Sequence, residues 1–124
     1  MKYADMAAEA TKQGALEELT PTYVEFSKKG DGVVGRLKAV SSVESGLSEG
    51  TYNQYLFDTD EGLIKCAFGR ATDKEAGQLM TIGGVYQVDF QGKVTITGGR
   101  QVNKFQIDRI REEDIIRTSE KGKE

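Results

Sequence analysis

The chain has 124 residues, of which 37% are hydrophobic and 30% charged, and its formal net charge is −3. This size and composition indicate one folded globular domain rather than a disordered chain. The chain contains no histidine, which excludes Cys/His zinc sites and Ser-His-Asp or Cys-His nucleophiles, and the single Cys66 excludes an internal disulfide. We therefore predict a protein that is not an enzyme and that holds no metal or cofactor.

The two ends of the chain carry its excess negative charge. Between Thr22 and Ile110 there are eleven basic and eleven acidic residues. No stretch approaches the roughly 20 apolar residues that cross a bilayer, and the N-terminus carries acids where a signal peptide needs a basic and then an apolar run. We therefore expect a cytoplasmic protein that does not contact membranes.

The first predicted element is a helix from Ala4 to Leu19, with a loose apolar stripe that Gly14 interrupts and with Pro21 as its stop. We interpret it as an appendage. It either caps one end of the domain or serves as a helix for a partner or for self-association.

The first predicted strand runs from about Val33 to Val43. Its alternation places Val33, Gly35, Leu37 and Ala39 on one face of the strand, and it places Arg36 and Lys38 on the other. Gly35 favours a bend, as a strand shared by both halves of a barrel requires.

A polar loop over Glu44 to Gly50 leads into a predicted hairpin. Its strands are Tyr52 to Asp58, which is rich in aromatic residues, and Leu63 to Arg70, which alternates strictly. In the second of these strands Ile64, Cys66 and Phe68 share one face. We interpret Cys66 as a small buried residue.

Ala71 to Met80 is a predicted short helix, because Thr72 followed by Glu75 forms a capping box. Two more strands follow, at Val85 to Thr97 and Gln101 to Ile110, separated by a glycine turn. The predicted order is strand, strand, strand, helix, strand, strand.

This order and three segments resemble the OB fold, a five-stranded Greek-key barrel. The segments are GDGVVGRLKAVSSV for the first strand, YLFDTDEGLIKCAFG for the hairpin of strands two and three, and VYQVDFQGKVTITGGRQVNKFQIDRI for strands four and five. The resemblance implies an all-β fold with a minor helix between strands three and four. It divides the chain into an N-terminal helical appendage (1–21), an OB domain (22–110) and a charged tail (111–124).

The resemblance also implies that the protein binds single-stranded nucleic acid. We expect it to coat single-stranded DNA with tolerance for sequence, in replication, recombination or repair. The chain lacks tryptophan, and its end lacks the acidic tail with a terminal Pro-Phe that bacterial single-strand-binding proteins carry. It is therefore more similar to a phage-encoded or divergent binder, acting in the host cytoplasm if it comes from a phage.

In OB domains the ligand lies across the outer faces of strands two and three. If Leu56 faces inward, as in the hairpin that it resembles, Tyr55 and Phe57 point outward beside Lys65. The alternative is a shift by one residue, which buries both rings and exposes Gln54 and Leu56 instead. The expected binding residues, including cations of the first strand and of the loop between strands four and five, are Tyr55, Phe57, Lys65, Arg36, Lys38, Arg100, Lys93 and Lys104.

Two other functions remain open at this point. The acidic ends are compatible with a protein-interaction or assembly module built on the same fold, and RNA or tRNA would use the same face as DNA. We also expect a homo-oligomer, with Ile115 and Ile116 as an apolar spot for self-assembly or for recruiting replication or recombination proteins.

Overall fold

The strands form one six-stranded mixed sheet in a computed structural model that describes residues 2–44, 46 and 50–115. Its order is β1-β4-β3-β2-β5-β6, and neighbouring strands are antiparallel except for the parallel pair β1–β4. No helix of the described residues is long and apolar enough to cross a membrane. The elements are α1 (Tyr3–Gln13), β1 (Thr22–Tyr23), β2 (Gly32–Glu44), β3 (Thr51–Thr59), β4 (Gly62–Ala67), α2 (Arg70–Glu75), β5 (Val85–Thr95) and β6 (Gln101–Ile110).

The prediction of a mostly β fold with a minor helix is confirmed at this level. The five predicted strands correspond to β2 through β6, and the sheet contains one strand more, the two-residue β1. The predicted N-terminal helix is too long: α1 ends at Gln13, because Gly14 adopts the left-handed conformation at φ 67° and caps the helix. The amides of Gly14 and Ala15 donate to carbonyls of the last turn of α1.

The predicted capping box of α2 is wrong. Gly69 is the residue that precedes the helix, and Thr72 lies inside α2 with its side chain buried. The helix is also shorter than predicted and continues as a single 3₁₀ turn over Gly77–Leu79.

The core is aromatic and holds the two sides of the sheet together. The ring of Phe68, which follows β4, lies 4.5 Å from that of Tyr55 and 5.1 Å from that of Phe105 on β6. Since β4 and β6 lie towards opposite edges of the sheet, the sheet must curl for these rings to meet. The cluster of buried residues consists of Val33, Leu37, Tyr55, Phe57, Cys66, Phe68, Tyr86 and Val88.

Strand β2 contacts both halves of the sheet, as predicted from Gly35. This glycine pairs with Thr59 of β3 and with Tyr86 of β5. A bulge follows at Lys38, because Leu37 pairs with Phe57 whereas Ala39 pairs with Leu56. The expectation that Ala39 shares a face with Leu37 is therefore wrong, since the bulge adds one residue to the alternation.

Two predicted segments fall partly outside the described residues. They are the loop over Glu44 to Gly50, at residues 45 and 47–49, and the tail 111–124, at residues 116–124, which include Ile116. The described start of the tail contains a 3₁₀ turn over Glu112–Asp114.

Candidate nucleic-acid interface

Tyr55 and Phe57 do not face outward. Both side chains are 0% exposed and belong to the core. The register of β3 is the alternative that the sequence left open, shifted by one residue, so neither ring can stack on a base without unfolding the strand. The expectation that Cys66 and Phe68 face inward is confirmed.

A hydrogen-bond network explains why a tyrosine is tolerated at position 55. Its hydroxyl donates to Oδ1 of Asp73 at 2.8 Å and accepts a 3.4 Å hydrogen bond from Nδ2 of Asn53. Burial, and then the hydrogen bond with the Asp73 carboxylate, raises the pKa of Tyr55, so the phenol is neutral at physiological pH. Tyr55 therefore connects β3 to α2 and contributes to the structure of the fold.

The outer face of β3 carries the residues that alternate with Tyr55 and Phe57. These are Tyr52, Gln54 and Leu56, all half-buried. Leu56 pairs with Lys65 of β4, so the register places this lysine on the same outer face. Of the three binding residues predicted in this hairpin, Lys65 is thus the one that lies on the outer face.

Strand β1 adds a second tyrosine to this face. Tyr23 pairs with Lys65 and is 48% exposed. Partial burial, followed by the neighbouring Tyr52, raises the pKa of Tyr23. The outer face therefore holds Tyr23, Tyr52 and Lys65, two aromatic rings and a cation.

The sequence patterns did not identify these two tyrosines as site residues. A two-residue strand such as β1 has no periodicity to detect. Tyr52 could have been found, since it lies outward as soon as Tyr55 is placed inward.

Arg36 also lies on the outer face, but its guanidinium is already paired. It donates to both carboxylate oxygens of Glu112, at 2.7 and 3.2 Å, and to the carbonyl oxygen of Gly83 at 2.6 Å. This pairing raises the pKa of Arg36 and lowers that of Glu112. The described part of the tail thus competes for a cation that we expected to contact phosphates.

Lys38 is exposed at the bulge and lines a cleft of about 610 Å³ on the outer face, which we call the lower cleft. The other wall of this cleft comes from the segment after α1, including Glu17 and Glu18, and Asp58 lines it as well. Among the described residues that line this cleft, Lys38 is therefore the single cation beside three carboxylates. This part of the face is less favourable to phosphate than was expected.

The three predicted cations of the β5–β6 hairpin are exposed, but they do not form one cluster. Gly92 pairs with Lys104 and Lys93 pairs with Asn103, so the register places the two lysines on opposite faces of the hairpin. Arg100 lies at the hairpin tip, where it lines a cleft together with Arg70 and Lys74 of α2.

Among the described residues, no group of three or more carboxylate or thiol side chains is arranged to hold a metal ion. Burial raises the pKa of the Cys66 thiol to about 12, which makes it a poor nucleophile. Neither a scan against protein-family models nor searches of curated proteins and of solved structures found a match to this chain.

Proposed function

We propose that this protein is an OB-fold domain that binds single-stranded nucleic acid, and that it coats single-stranded DNA with little regard to sequence. The order of β2 to β6 across the sheet and the position of α2 between β4 and β5 support the OB fold. The contact between Phe68 and Phe105 supports a sheet curled towards a barrel.

The observation that carries the functional proposal is the joint position of Tyr23, Tyr52 and Lys65 on one outer face. Any base can stack on a tyrosine ring, and each stacked base adds about 1–3 kcal/mol of binding free energy. The lysine neutralises a phosphate. This pair of rings replaces the buried Tyr55 and Phe57 as the stacking platform.

The test is fluorescence-anisotropy binding of labelled oligo-dT of about 30 nucleotides, long enough to exceed one OB site. Tyr23→Ala and Tyr52→Ala should each weaken binding by about fivefold or more. The matched control is Tyr3→Ala, which removes a tyrosine that is 88% exposed on α1 and lies off the sheet. Unchanged affinity in both face variants, with the fold intact by circular dichroism, would reject this platform.

The salt dependence of the same binding reports the phosphate contacts. Each phosphate neutralised on a single strand lowers log K by about 0.7 per unit of log salt concentration. Lys65→Gln should reduce this slope by about that amount. Competition with oligo-U of equal length then separates a preference for DNA from a preference for RNA.

A second candidate function is a protein-interaction module. The observation that favours it is the acidic coverage of the outer face, by Glu17 and Glu18 in the lower cleft and by Glu112 on Arg36. Such a surface fits a basic protein segment better than a phosphate backbone. Absence of oligo-dT and oligo-U binding at low salt would make this the leading function.

A further inference from the structure

A positively charged cleft lies between α2 and the β5–β6 hairpin, at one end of the outer face. It has a volume of about 700 Å³. Its lining includes Arg70 and Lys74 from α2 and Arg100 from the hairpin tip, and Glu75 is the one acid among the described residues that line it. Of these cations, only Arg100 was expected to contact nucleic acid.

The charge of this cleft differs in sign from that of two other clefts on the molecule. The cleft at Lys38 sets three carboxylates against one lysine. The cleft beside the β3–β4 turn contains Asp60, Glu61 and Asp89, with no cation among the described residues that line it. A polyanion is therefore favoured between α2 and the hairpin and disfavoured at the other two clefts.

The hydrogen bonds of Asp73 keep a further acid of α2 out of the cleft. Its two carboxylate oxygens accept from the hydroxyl of Tyr55 and from the backbone amide of Asn53, at 2.8 and 2.9 Å. Asp73 is thereby turned towards β3, whereas Arg70 and Lys74 line the cleft. The packing of α2 thus keeps Asp73 out of the cleft, which leaves Glu75 as the acid of α2 that lines it.

The cleft adjoins the outer face at the start of β3. The guanidinium of Arg70 lies against Gly50, at 3.2 Å from the position that a Cβ would occupy there. Gly50 immediately precedes β3, and Tyr52 is the second residue of that strand. A strand that stacks on Tyr52 therefore needs to extend by only a few nucleotides to reach Arg70, and then Lys74 and Arg100.

We propose that this cleft binds the phosphodiester backbone of the same single strand whose bases stack on Tyr23 and Tyr52. The proposal rests on the proposed function and adds to it a path for the strand. The strand leaves the outer face past Gly50 and passes between α2 and the hairpin. The cleft is a backbone contact without base selectivity, so it lengthens the binding site without making it sequence-specific.

The test compares a short and a long oligo-dT, of about 6 and about 16 nucleotides, one near the lower end and one at the upper end of the range of OB site sizes. The variant is the double substitution Lys74→Gln with Arg100→Gln, and the matched control is Lys29→Gln, an exposed lysine before β2. The double variant should bind the short oligonucleotide like the wild type and the long one about tenfold more weakly. Its salt slope on the long one should fall by about 1.4, for two lost phosphate contacts.

The outcomes separate the two proposals. If the wild type binds both oligonucleotides and the double variant binds each of them as tightly as the wild type does, the cleft is not on the path and only this inference fails. An equal loss of affinity for the short and the long oligonucleotide also overturns this inference, because the two cations then already contact the short strand. If the wild type binds neither, the proposed function fails and this inference with it.

A second measurement keeps the inference testable should the double variant not fold. In the wild type, the long oligonucleotide should shift the amide resonances of Gln101 and Val102, which line the cleft, whereas the short one should not. Shifts confined to the outer face with both lengths would overturn the proposed path.

Discussion

The hydroxyl of Tyr55 donates a 2.8 Å hydrogen bond to Oδ1 of Asp73, and this bond ties the middle of β3 to α2. The ring of Tyr55 is completely buried and contacts that of Phe68. Because α2 carries Arg70 and Lys74, the bond also sets where these two cations lie relative to the sheet.

Replacing Tyr55 by Phe should lower the free energy of unfolding by about 1–2 kcal/mol, since the ring stays in the core while a carboxylate oxygen loses its donor. Urea denaturation followed by circular dichroism measures this change. Tyr3→Phe, at the exposed position on α1, is the control and should leave stability unchanged. Equal stability of the Tyr55→Phe variant and the wild type would show that water replaces the lost donor.

Gly35→Ala should destabilise the fold by about 1–3 kcal/mol or more. A Cβ at position 35 would overlap the carbonyl oxygen of Asp58 and the methyl group of Thr59, where β2 passes close to β3. Gly46→Ala serves as the control, because a Cβ there has no atom of the described structure within 4 Å. The urea denaturation midpoint of Gly35→Ala should lie below that of Gly46→Ala. Coincident midpoints would contradict the close approach of β2 to β3.

The Cys66 thiol should make the stability fall at alkaline pH. Its pKa is raised from 9.0 to about 12 by burial, so the unfolded chain releases the proton before the folded one does. The stabilisation is therefore complete below about pH 9 and is lost as the pH rises towards about 12. Cys66→Ala should remove this alkaline loss and so flatten the stability profile between about pH 9 and pH 10.

Arg36 and Lys65 should differ in their effect on nucleic-acid binding. The guanidinium of Arg36 is held by Glu112 and by the carbonyl of Gly83, so Arg36→Ala should change the affinity for oligo-dT by less than about twofold. Lys65→Ala should weaken it severalfold, in the same anisotropy assay. A larger loss for Arg36→Ala would mean that the strand displaces Glu112 on binding.

Deletion of residues 1–14 should leave the melting temperature within about 2 °C of that of the full chain. The side chains of α1 are exposed apart from the half-buried Ala10, so the helix adds little buried area to the sheet. The deletion retains Glu17 and Glu18, which line the lower cleft. A large drop on calorimetry would show that α1 is part of the domain and not an appendage.

The five predicted strands overlap β2 to β6 because glycine turns and β-branched or aromatic runs mark them locally, whereas the two-residue β1 was missed. The site was harder to predict, because the inward direction of Tyr55 and Phe57 follows from the register of β3 against β2 and β4, which local alternation leaves open. The pairing of Arg36 with Glu112 joins residues that are 76 positions apart in the chain, and the sequence around either residue does not predict it. Local patterns thus place strands well, whereas contacts between distant residues decide which side chains a ligand can reach.

The bulge at Lys38 has a consequence for sequence comparison. Since Leu37 pairs with Phe57 and Ala39 with Leu56, a chain that lacked residue 38 would pair β2 and β3 in a regular ladder. At other paired positions of β2, a deletion would turn the following side chains to the opposite face. An alignment of this protein with distant homologues should therefore allow a one-residue gap at Lys38, in the middle of a strand, where gaps are normally penalised most.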